Sequence, residues 1–167
     1  TRDPSKLKEW LEKSDSKISA SSFSEAAKFG DMIVICTKWE GTQNAILLTG
    51  KENFANKLVM EVTNPLKFDT LNAPPGMAIA YPNSAGKTIQ QWLPDSKVVK
   101  AFNSVPAHYM ANPKLDDGAP DLFIAGNDAT AKNEVRALAS QWGWENINDL
   151  GSIDNAYLLE ALAMVWI

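Results

Sequence analysis

Residues 31–37 read DMIVICT, with five apolar residues in a row at 32–36, preceded by Gly30 and followed by Lys38. A strand with one wet face alternates apolar and polar residues. An unbroken run of this length suits a strand covered on both faces, as in a parallel sheet. The same pattern returns in KLVMEVTNP (57–65) and KVVKAFN (97–103), and in a shorter form in DLFIAG (121–126). Helical patterns lie between them: WEGTQNAILL (39–48), SAGKTIQQWL (84–93) and ATAKNEVRALASQWG (129–143). In the second, Ile89, Trp92 and Leu93 share a face. In the third, Asp128 stands at the N-cap, and Ala131, Val135, Leu138, Ala139 and Trp142 form one stripe. Strands alternating with helices predict a doubly wound α/β domain with a mostly parallel Rossmann-type sheet and helices on both faces.

The flanks add weaker elements. TRDPSK (1–6) starts a helix, with Asp3 as N-cap and Pro4 at the first helical position. SFSEAAKFG (22–30) carries a capping box at Ser22 and Glu25 and stops at Gly30. KISA (17–20), AIAYP (78–82) and ENINDLG (145–151) are short strand candidates. LKFDTLNAPPGM (66–77) and NPKLDDGAP (112–120) are loops. SIDNAYLLEALAMVWI (152–167) reads as a helix that grows more apolar toward its end, with Leu158, Leu159, Ala161, Leu162, Val165, Trp166 and Ile167 on more than one face. Such a helix needs cover on several sides, so a homodimer through it is expected.

The net charge of −4 argues against a nucleic-acid or anionic-membrane partner, because both reward clustered Lys and Arg. Cys36 is the single cysteine, so no internal disulfide forms, which fits a reducing compartment. The longest apolar stretch, ALAMVWI (161–167), is far shorter than the ~20 residues that cross a bilayer. The 167 residues have the length of a single domain.

Few stretches carry chemistry. YPNSAGKT (81–88) ends like a phosphate-binding P-loop, but Tyr81 stands where the pattern needs its first glycine, and Pro82 has no N–H. It reads instead as a helix N-terminus where Gly86 admits another backbone. His108 has no Ser, Cys or acid partner near it in sequence and reads as a surface or packing residue. Cys36 reads as inert core, no spacing suggests a metal site, and no catalytic residue or acidic pair stands out. The stronger signal is positional. Ligands of open parallel sheets sit beyond the carboxyl ends of the strands. Those ends are CTKW (36–39), VTNP (62–65) and FNSVP (102–106), which offer hydroxyls, amides, a Lys and an aromatic ring.

VTNPL, LPDSKVVKAFNSVPA and DLGSIDNAYLLEALAMVWI resemble the NADP-binding oxidoreductases of the coenzyme F420-dependent NADP reductase type, which also serve as the cytosolic part of the STEAP metalloreductases. The resemblance extends over essentially the whole chain, and KVVKAFNSVPA is its most specific piece. Members of that family begin with a strand, a G-x-G-x-x-G loop and a helix, and their second strand ends in a Ser/Thr-Arg pair. TRDPSK is similar to the end of that second strand, so the chain is expected to be truncated. About 30 residues, the size of a strand–helix–strand passage, would precede Thr1, and further chain would follow Ile167. In the usual strand order the absent strand is central, which would leave two unpaired inner edges. No G-x-G-x-x-G occurs in the 167 residues.

The resemblance implies a cytoplasmic oxidoreductase that moves a hydride between NADP and a small-molecule redox substrate, a deazaflavin or a flavin first. It implies that Thr1, Arg2 and Lys6 hold the 2′-phosphate. Thr37, Lys38 and Trp39 would lie along the pyrophosphate and nicotinamide ribose. Asn64 and Pro65 would border the nicotinamide, and Asn103, Ser104 and Val105 would line the second-substrate side. A non-catalytic NADP-binding regulatory or interaction module of the same fold is the alternative. Thr37-Lys38 departs from relatives that often carry Pro before the aromatic residue, which leaves the second substrate open.

Overall fold

The computed structural model describes residues 1–69, 74–116, 118–165 and 167; Trp166, parts of the two long loops at 70–73 and Asp117 lie outside the described residues. One sheet dominates. Its strands are β1 (Met32–Ile35), β2 (Leu58–Glu61), β5 (Lys97–Ala101), β6 (Asp121–Gly126) and β7 (Asn146–Asp149), side by side in that order. A small antiparallel pair, β3 (Leu66–Lys67) and β4 (Gly76–Met77), closes the base of the first long loop. β1, β2 and β5 run parallel, β6 is antiparallel to β5, and β7 is parallel to β6. The mostly parallel α/β reading therefore holds, with one reversal at β6.

The unbroken apolar runs of β2 and β5 have their expected cause. Leu58, Met60, Val99 and Ala101 face one core, closed by Ala131, Val135 and Ala139 of α5 (Ala129–Gln141). Val59 and Val98 face the other, closed by α3 (Trp39–Thr49), α4 (Ala85–Trp92) and the turn into α6 (Ala156–Ala163). β1 departs from the expectation. It is an outer strand, and no helix covers Val34, which is 47% exposed. Cys36, just beyond it, is exposed rather than core.

Helix punctuation follows the sequence signals. Asp3 accepts from the Ser5 N–H and opens a short 3₁₀ turn, Pro4–Leu7, that runs into α1 (Lys8–Glu12). Ser22 and Glu25 form both halves of the capping box on α2 (Phe23–Phe29). Asp128 accepts from the Ala131 N–H at 2.7 Å. A Cβ on Gly86 would lie 2.8 Å from the Ala156 Cβ, so the close approach expected at Gly86 is met, between α4 and α6.

Three expectations fail. Residues 17–20 form no strand: no ladder partner lies beside them, and extended backbone without one is not held as sheet. AIAYP is a bend and a turn, and the strand nearby is Gly76–Met77. Among the described residues the two open inner edges are not found either, because the five strands form one uninterrupted sheet with β1 outermost. Along that outer edge runs an apolar cleft of about 220 Å³, lined in part by Phe23, Ala27, Ile33, Ile46 and Phe54.

In α6, Leu159 is 1% exposed and belongs to the chain's own core, while Leu158 and Leu162 are 42% and 40% exposed, and Val165, in the turn after the helix, is 82% exposed. The outward apolar face is thus narrower than the sequence suggested. A charge at Leu159 would disrupt the chain's own core rather than report on pairing.

Candidate functional site

The parallel register of β1, β2 and β5 brings their carboxyl ends to one side of the sheet. After β1 the chain turns into α3. Thr37 Oγ1 and Thr42 Oγ1 are 2.8 Å apart, and the buried Thr42 hydroxyl also donates to the Lys38 carbonyl at 3.1 Å, which fixes the turn. In front of it lies an open groove of about 380 Å³ lined by Arg2, Phe23, Thr37, Lys38, Glu40, Gly41 and Ala45. Two cations therefore face one groove beside the N-terminus of an eleven-residue helix, an arrangement that favours an anion even with Glu40 on its rim.

The backbone nitrogen of Thr1 donates to the Ser21 carbonyl at 3.2 Å. Asp3 is occupied by its own helix start, accepting from the Ser5 hydroxyl at 2.6 Å. Lys6 is exposed and does not line the groove. The Trp39 ring stacks on Trp92, with centroids 5.7 Å apart and planes at 11°, so much of its surface goes into packing α3 against α4.

The ends of β2 and β5 form a second, drier group. The Asn64 side-chain amide donates to the Asn103 carbonyl at 2.7 Å, and the Asn103 amide donates to Asn64 Oδ1 at 2.9 Å and to the Leu159 carbonyl at 2.8 Å. Phe102 sets this up. Its φ of 61° is costly for a residue with a side chain, about 1–3 kcal/mol, and turns the chain sharply after β5. Burial of its ring against Trp142 and Trp144 offsets that cost. Pro65 is buried, and its carbonyl accepts from the Ala78 N–H. Val105 packs against the core, and Ser104 is half-buried in the turn that follows. Among the described residues three buried side-chain atoms make no hydrogen bond: Thr63 Oγ1, Asn103 Oδ1 and Glu61 Oε2, the last of which meets only the charge of Lys100.

Behind these ends lies a cluster the sequence reading missed. Lys100 (0% exposed) forms ion pairs with Glu61 Oε2 at 2.6 Å and Glu160 Oε1 at 3.0 Å and donates to the Thr63 carbonyl. Glu61 also accepts from the Thr63 N–H, and Glu160 accepts from the Ala85 and Gly86 N–H groups at 3.0 and 3.2 Å. Burial pushes the Glu160 carboxyl above its ordinary range, against the pull of Lys100. The helix end that imitated a phosphate loop therefore already holds an anion from its own chain. A signal did exist. Glu61 and Lys100 are opposite charges inside two apolar strands, and they sit directly across from each other in the ladder.

A mostly parallel sheet with polar residues gathered at its strand ends, and cations beside a helix start, defines a Rossmann-type domain. Residues 1–65 match the model of the family described as NADP oxidoreductase, coenzyme F420-dependent. A crystal structure from Arthrobacter sp. FB24, assigned as an F420-dependent NADP reductase, superposes with a TM-score of 0.94 at 33% identity, covering 99% of this chain and 78% of that one. The chain belongs to this coenzyme F420-dependent NADP oxidoreductase family. The F420-dependent NADP reductase of Methanocaldococcus jannaschii is 29% identical over 138 residues, 83% of this chain and 61% of that protein. Human metalloreductase STEAP2 is 30% identical over 109 residues, 65% of this chain and 20% of that protein. The chain thus spans about three fifths of the archaeal relative and a fifth of the human one.

Proposed function

We propose that the 167 residues form one NADP-binding domain of an oxidoreductase that transfers a hydride between NADP and a second redox substrate, with a deazaflavin or flavin as the first candidate. The observation that carries the reading is the groove shared by Arg2 and Lys38 at the start of α3. Two cations suit a sugar phosphate, whereas NAD-preferring sites put a carboxylate against the ribose 2′-OH. Asp3, the nearest acid in sequence, is engaged with Ser5.

The residues present fit NADP at the adenosine phosphate and at the nicotinamide edge. Arg2, with Thr1 and Lys6 nearby in sequence, would hold the 2′-phosphate. Thr37, Lys38 and the start of α3 would face the pyrophosphate and ribose, with Trp39 behind them. The interlocked Asn64 and Asn103 and the ring of Pro65 would give the nicotinamide a rigid border. The unpartnered Thr63 Oγ1 and Asn103 Oδ1 are suited to its carboxamide. Ser104 and Val105 would line the second-substrate side. Bound NADPH supplies the hydride; the chain's own residues bind, orient and exclude water, which needs no catalytic acid or base. A cytoplasmic protein that pairs through the outer face of α6 and the turn after it, at Leu158, Leu162 and Val165, completes the reading.

The experiment is NADPH and NADH binding by the full polypeptide, followed by NADPH oxidation across deazaflavin, flavin, quinone and carbonyl acceptors. The expected result is tighter binding of NADPH and turnover with at least one acceptor. Binding without turnover on every acceptor would favour the non-catalytic module. No binding of either nucleotide would overturn both.

A further inference from the structure

We propose that Lys100, held by Glu61 and Glu160, is a positioning residue for the reaction assigned above: it clamps the Thr63 backbone and thereby sets the Asn64–Pro65 border. The inference rests on that reading of the site. Thr63 is gripped from both sides, since its N–H donates to Glu61 and its carbonyl accepts from Lys100. The next residue, Asn64, carries the side chain that interlocks with Asn103. Lys100 pairs with both carboxylates and donates to the Thr63 carbonyl, and the N–H groups of Thr63, Ala85 and Gly86 donate to those carboxylates. The cluster therefore ties β2, β5, the start of α4 and α6 to one another.

Packing alone gives a poor account of it. A buried ionic triad is seldom a gain in stability over apolar residues of similar volume. Here it lies directly beneath the strand ends, and its contacts end on the backbone of the residue before the Asn-Pro pair. That is the requirement of hydride transfer, in which small errors in ring placement cost much of the rate.

The test is the triple variant Glu61→Met, Lys100→Met, Glu160→Met in the full polypeptide, with folding checked by thermal denaturation. In the nucleotide-free protein, the Thr63 and Asn64 amides should exchange at least about tenfold faster than in wild type as the clamp is lost. In single turnover, hydride transfer should fall about 100-fold, as for a misplacement of about 1 Å, while the Kd for NADPH shifts by less than about threefold, because Arg2 and Lys38 are untouched. A folded triple variant with wild-type exchange and wild-type transfer overturns the proposal. If that variant does not fold, Glu61→Gln, which keeps the Lys100–Glu160 pair, should give the same split between rate and affinity; unchanged transfer in it would also overturn the proposal. A wild type that binds no NADPH refutes the functional reading instead, and the exchange measurement then decides separately whether the triad holds Thr63.

Discussion

The charges of Arg2 and Lys38 and those of Glu61, Lys100 and Glu160 lie on the same side of one sheet and behave as opposites. The first two are exposed cations lining an open groove. The other three are sealed from water and paired with one another. An exposed charge contributes little to stability and remains available to a ligand. A buried one must be satisfied at home and can only act on the backbone it grips. Charge near a strand end is thus either open to a ligand or committed to its own chain, and burial decides which.

The contrast breaks most sharply at Lys100. Lys100→Met alone leaves two carboxylates facing each other without a counter-ion, and should cost about 3–5 kcal/mol in denaturant unfolding. Burial already holds the Glu160 carboxyl above its ordinary range, and losing Lys100 removes the pull that opposed this. A carboxyl with a raised folded pKa destabilises the fold above that pKa and is relieved as pH falls through it. The deficit should therefore be smaller in acid than at neutral pH. Arg2→Ala should do the reverse: stability unchanged, NADPH binding weaker by about 1.5–3 kcal/mol, and NADH binding nearly unaffected, as titration of the two nucleotides would show.

An intermediate case sharpens the comparison. Asp149 is partly buried at the end of β7, and that burial pulls its carboxyl upward. The Lys132 hydrogen bond, the Gly151 N–H and the charges of Lys132 and Arg136 outweigh it, and the carboxyl titrates below its ordinary range. A depressed carboxyl stabilises above its unfolded pKa, and that stability is lost as pH falls through the folded value. Asp149→Asn should cost only about 0.5–1 kcal/mol at neutral pH, with the difference from wild type vanishing in acid unfolding experiments.

The sequence made the strands, helices and caps of the sheet legible because each rests on local pattern: apolar runs at β2 and β5, Ser22 with Glu25, Asp128 before α5. Thr37, Lys38, Asn64 and Asn103 stand out by position, at the strand ends of such a sheet, whereas Arg2 stands out only through the family resemblance; the structure puts Arg2 on one groove with Thr37 and Lys38 and interlocks Asn64 with Asn103. Two kinds of feature were not legible. Val34 and Cys36 read as buried because an apolar run does not say whether a helix lies over it. Glu160 was hidden because a single carboxylate on an apolar helix looks like a solvent-facing break in the pattern. Only three-dimensional packing brings it to Lys100 and to the start of α4. Trp39 looked like an open aromatic wall, yet its stacking partner, Trp92, is 53 residues further along the chain.

Gly86 carries a consequence for inheritance rather than for energy. Its missing Cβ lets Ala156 approach, and Ala156 lies one helical turn before Glu160 on the same face of α6. Any side chain at position 86 must push α6 outward and draw the Glu160 carboxylate away from Lys100. Substitutions at positions 86 and 156 are therefore not independent. A lineage that gains a methyl group at one should lose one at the other, so two uncharged positions become the record of how far apart a pair of charges is allowed to stand.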